Sequence, residues 1–121
     1  MKTAVVAILA VVGMASLASA DVYQNLSAIT IPGAGTTGPA APYPSVINIA
    51  GFSGSATEVR VSLFGMSHTF PDDLDILLVG PSGQTVMLMS DAGGATDVVA
   101  IDLVLEEGAV AMPDGTILSS G

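Results

Sequence analysis

Between Thr57 and Phe64 apolar and polar residues alternate, with Val59, Val61 and Leu63 on one side and Glu58, Arg60 and Ser62 on the other. A period of two is the mark of a strand with one buried face. Asp73 to Val79 repeats it through Leu74, Ile76 and Leu78, and Val98 to Leu105 repeats it through Val99, Ile101, Leu103 and Leu105. Gly80-Pro81-Ser82-Gly83 suits a type I turn, since proline fits its second position and glycine its fourth. Gln84 to Ser90 then returns as a partner strand, so 73–90 predicts a β-hairpin. Weaker β-prone stretches, Leu26–Ile31 and Val46–Ala50, flank a loop of Gly, Pro, Ala and Thr over 33–44. Gly65 to Asp72 reads as a connection and Asp91 to Asp97 as a loop. Strands at 57–64, 73–79, 84–90 and 98–105, separated by Gly/Pro turns, predict an all-β antiparallel sandwich or barrel. Val59, Val61, Leu63, Leu74, Ile76 and Leu78 are its expected core face.

The N-terminal segment follows a different logic. Lys2 precedes an unbroken apolar run from Ala4 to Val12, and small residues lead to Ala18-Ser19-Ala20. That order is a secretory signal peptide, with cleavage expected after Ala20 and a secreted or cell-surface destination. The run is short of the roughly 20 residues a bilayer requires. The chain thus divides into a signal peptide (1–20), lead-in strands with a Gly/Pro-rich loop (21–50) and a β-sandwich module (51–121). No long apolar run follows the signal, so no membrane association is expected after cleavage.

Removing the signal removes the only lysine, and Arg60 alone then faces eleven carboxylates, a side-chain charge of −10. A surface so acidic repels phosphate backbones and anionic membranes, which excludes nucleic acid as an expected partner. Divalent cations and cationic surfaces are the partners that electrostatics favours. There is no cysteine, so no disulfide supports the modest core of an exported domain of this size.

Catalytic patterns are weak. Gly33-Ala34-Gly35-Thr36-Thr37-Gly38 spells G-x-G-x-x-G, but Pro39, Pro42 and Pro44 follow where a phosphate-binding helix should begin. Ser53, in Gly51-Phe52-Ser53-Gly54-Ser55, lacks the final glycine of a nucleophile elbow and reads as a turn residue. His68 is the only histidine, lies in a short connection, and has no serine in nucleophile context. No catalytic residue is assigned. Asn25-Leu26-Ser27 is a glycosylation sequon, a short pattern that chance often produces.

The carboxylates around the hairpin carry more information. Asp72 and Asp73 stand at one side of its open end and Asp91 at the other, while Asp73 and Asp75 share a strand face. Gathered carboxylates oppose folding unless they are solvated or share a cation. Oxygen-only donors favour Ca²⁺ over zinc. The competing reading is a set of solvated acidic turns, because aspartate is common there for local hydrogen bonding.

From Val59 to Gly94 the chain resembles the P domain, or Homo B domain, that follows the catalytic domain of subtilisin-like proprotein convertases. It is closer still to P-like modules of large secreted bacterial proteins. The resemblance is carried by the alternating strand, then His68-Thr69, then Asp73-Leu74-Asp75-Ile76 leading to Leu78, then Pro81-Ser82-Gly83 and a strand ending near Leu88. Val98 to Pro113 is compatible but looser. The resemblance implies a jelly-roll β-sandwich of the galactose-binding-like kind, itself non-catalytic, which in convertases stabilises the neighbouring protease. Several members bind calcium, and that expectation carries over to Asp72, Asp73, Asp75 and Asp91. The family's closing half uses tryptophan-containing strands; this chain has no tryptophan and reaches Ser119-Ser120-Gly121 where the family continues. The sandwich is therefore expected to be incomplete. The leading expectation is a stabilising or interaction module, with an adjacent protease or surface-protein domain among its partners. The alternatives are a piece of a subtilisin-like serine endopeptidase system and a carbohydrate-binding or adhesive jelly roll.

Overall fold

The computed structural model describes residues 20–33 and 35–115. The expected signal segment lies outside the described residues except for Ala20. Among the described residues there are four strands and one short helix: β1 (Arg60–His68), a 3₁₀ turn (Pro71–Asp73), β2 (Ile76–Val79), β3 (Thr85–Met89) and β4 (Val98–Glu106). The fold is all-β, as the alternation predicts. β1 pairs antiparallel with β4 and β2 antiparallel with β3, giving two small sheets.

The hairpin β2–β3 closes as its turn chemistry dictates. The Gly83 amide donates to the Gly80 carbonyl at 2.9 Å, and the Gly80 amide donates to the Gln84 carbonyl at 2.7 Å. Gly83 sits at φ 85°, a conformation that costs glycine little.

The predicted β-prone stretches at 26–31 and 46–50 form no strands. Among the described residues one isolated bridge, Thr30 to Ala41, is all the ladder that region makes. Prolines at 32, 39, 42 and 44 lack the amide donors that a longer ladder would need. Side chains join the segments instead: Tyr23 Oη donates to the Ala50 carbonyl at 3.3 Å, and the Asn25 amide donates to the Val46 carbonyl at 3.0 Å.

The β1–β4 pair departs from simple alternation in a way that decides the core. Leu63 faces Leu103 and Met66 faces Ile101, so Phe64 and Gly65 together oppose Asp102 alone. Further along, Met66 faces Ile101 and His68 faces Val98, so Val99 and Ala100 oppose Ser67 alone. These are two bulges on opposite strands, and their extra residues, Gly65 at φ 64° and Ala100 at φ 52°, are left-handed. Each bulge flips the phase of its strand. Val99, expected inside, is 77% exposed, while Val98 is buried at 4%. Met66 and His68 become the inward residues of β1 beyond Gly65.

The core comprises Met66, Leu74, Met89, Ala92, Val98, Ile101 and Leu103, with Ile31, Leu63, Ile76 and Met112 packed against it. It fills the space between the open end of the hairpin and the bulged half of β1–β4. Of the expected core face, Leu74 is buried, and Val61, Leu63, Ile76 and Leu78 are half-buried. Val59 is 55% exposed, because it precedes β1 and has no covering layer. A backbone ladder seals the open end of the hairpin. The Asp72 amide donates to the Gly94 carbonyl at 3.2 Å, and the Gly93 and Gly94 amides donate to the carbonyls of Pro113 and Asp114 at 3.0 and 3.1 Å.

Candidate functional site

His68 is the last residue of β1 rather than part of a connection, because Gly65 bulges the strand instead of ending it. Its ring is buried and both nitrogens face backbone groups. The Phe70 amide can only donate, so Nδ1 accepts it, at 3.1 Å. In the neutral ring the proton therefore lies on Nε2, which donates to the Pro32 carbonyl at 3.0 Å. His68 thus ties the 31–33 segment to the turn after β1. A cavity of about 300 Å³ beside it is lined by Ile31, Ser67, Thr69 and Asp97 among others. Ser53 lies in an exposed irregular stretch.

The aspartates at the hairpin's open end are arranged differently from the expectation. Asp73 belongs to the 3₁₀ turn, which Pro71 starts and Leu74 closes by donating its amide to the Pro71 carbonyl at 3.0 Å. β2 begins only at Ile76, so Asp73 and Asp75 do not share a strand face. Among the described residues the carboxylates of Asp72 and Asp73 make no hydrogen bond. Asp75 and Asp91 are the pair brought together, on either side of Ser90. The Ser90 hydroxyl is 2.6 Å from Asp75 Oδ1 and 3.2 Å from Asp91 Oδ2. One hydroxyl hydrogen serves both, with the shorter contact to Asp75. Among the described residues no group of three or more His, Cys, Asp or Glu side chains is placed to hold a metal ion. Ser90 was not singled out from the sequence; its place directly before Asp91 at a strand end was the signal available.

The sequon asparagine is engaged. Its side-chain amide donates to Ser45 Oγ at 3.3 Å and to the Val46 carbonyl at 3.0 Å, while its Oδ1 accepts the Ser27 amide at 2.9 Å. A glycan on that nitrogen would replace one of its two hydrogens, so the bonds to Ser45 and Val46 could not both persist.

Arg60 Nε is bonded to Glu106 across the β1–β4 register, and its guanidinium is also 3.7 Å from Glu58. Among the described residues no helix is long and apolar enough to cross a membrane. Comparison with protein-family models, curated proteins and solved structures finds no match to this chain.

Proposed function

We propose that the chain is a secreted, non-catalytic β-module of the P-like kind, a jelly-roll sandwich whose role is to stabilise or dock another exported protein. The observation that carries the reading is the number of apolar strand residues left in water. Phe64, Leu77, Val79, Val86, Met87, Val99 and Val104 are all large and exposed, on strands that each have one free edge among the described residues. Free edges and uncovered apolar faces are association surfaces. The resemblance from Val59 to Gly94 supports the same reading. The test is the behaviour of Asp21–Gly121 purified alone. Marginal stability or self-association is the expected outcome; a sharp, cooperative melt from a strictly monomeric sample would show that the chain covers its own core.

Calcium at the hairpin's open end is the metal part of this proposal. Its support is chemical: oxygen is the only donor type offered by Asp72, Asp73, Asp75 and Asp91. The described residues bring two of these carboxylates to one hydroxyl, fewer than the six to eight oxygens Ca²⁺ takes.

A further inference from the structure

Beyond the bulged half that holds the core, the two sheets part around a groove of about 870 Å³. Three consecutive residues of β3, Val86 to Leu88, and four of β4, Leu103 to Glu106, line it. Successive strand residues point to opposite faces, so a groove that meets them all meets the strand edge as well as one face. β3 is paired only with β2 and β4 only with β1, which leaves each with an unpaired backbone edge among the described residues. The chain's own 109–113 forms another side.

The groove's charge is one-sided. Where β1 begins and β4 ends, Glu58, Glu106 and Glu107 line it. Arg60, the only lysine or arginine among the described residues, is already held by Glu58 and Glu106. Glu107 is exposed and makes no ion pair among the described residues.

We propose that this groove takes an extended, apolar segment of a partner protein as an added strand at the free edges of β3 and β4, with a lysine or arginine of that segment at Glu107. The proposal rests on the interaction reading above and names the partner's chemistry. Backbone edges call for a peptide rather than a small apolar molecule, since only a peptide returns their hydrogen bonds. A second copy of this chain is the wrong charge: after signal removal its one lysine or arginine is Arg60, already held by Glu58 and Glu106, and it brings eleven carboxylates.

The experiment uses Asp21–Gly121 and two fluorescein-labelled synthetic decapeptides of alternating valine and threonine, one ended by lysines and the other by glutamates. The lysine-ended peptide should bind one-to-one, about tenfold tighter than the glutamate-ended one, with the gap narrowing as salt rises. Glu107→Gln should weaken it about threefold with an unchanged circular dichroism spectrum, as expected of a rim charge. Val86→Asp, at an exposed position, should abolish it. Equal affinity for the two peptides, or binding untouched by Val86→Asp, would overturn the proposal. So would self-association that Val86→Asp removes, because the groove would then be an interface between copies. No binding of either peptide to a chain that still melts marginally defeats this proposal alone; a cooperative monomeric melt defeats the interaction reading with it.

Discussion

Gly65, the extra residue of the β1 bulge, donates its amide to Asp102 Oδ1 on the facing strand at 2.8 Å. The second bulge is built the same way: the Ala100 amide donates to Ser67 Oγ at 2.9 Å. In each case the residue that stands alone opposite a bulge uses its side chain to satisfy an amide the ladder has lost. Two bulges on opposite strands cancel in length, so the register of Arg60–Leu63 returns at His68 opposite Val98, with the inward face reset.

Asp102→Ala should therefore cost about 1–2 kcal/mol, the range for a lost charge-assisted bond to an amide at a partly solvated site. Asp102→Asn keeps an acceptor oxygen and should cost less than half as much. Gly65→Ala should cost about 1 kcal/mol, because a side chain is strained at φ 64°. Denaturant titration of the three variants checks the order; a neutral Asp102→Ala would mean water takes over the Gly65 amide.

His68→Leu keeps an apolar body but leaves the Phe70 amide and the Pro32 carbonyl without their partner. A loss of about 2 kcal/mol is expected, and hydrogen exchange at Phe70 should speed up. Gln offers an amide donor group and an acceptor oxygen, so His68→Gln should recover part of the loss. Equal stability of the Leu variant would show that His68 does not anchor the 31–33 segment.

If Ca²⁺ binds at the open end of the hairpin, thermal unfolding will depend on it. At about 100-fold excess over the dissociation constant the gain is about 2.7 kcal/mol, large against marginal stability. Asp75→Asn should reduce that gain without unfolding the chain, since the amide oxygen still accepts from Ser90. Melting in chelator, in Ca²⁺ and in Mg²⁺ is the measurement, and identical curves would make these aspartates solvated turn residues.

Export predicts a mature N-terminus at Asp21. Mass spectrometry of secreted protein is the check, and retention of Met1 or Lys2 would count against a cleaved signal.

How much was legible in the sequence differs from element to element. The hairpin β2–β3 was, because Pro81 and Gly83 fix the turn locally and the alternation of Leu74, Ile76 and Leu78 sets a common face. Existence of β1 and β4 was also legible, from the same period of two. Their phase was not. Gly65 reads locally as a break, yet the partner strand supplies Asp102 and turns the break into a bulge that carries β1 on to His68. Val99 reads as inward, yet the bulge at Ala100 turns it out. Asp73 reads as strand, yet Pro71 starts a 3₁₀ turn that parts it from Asp75. Periodicity and turn chemistry are local properties, so the sequence by itself determined strand character, the hairpin and the excess of negative charge. Register, the buried face and the meeting of Asp75 with Asp91 depend on which distant residue supplies a hydrogen bond. Only the tertiary structure decided those.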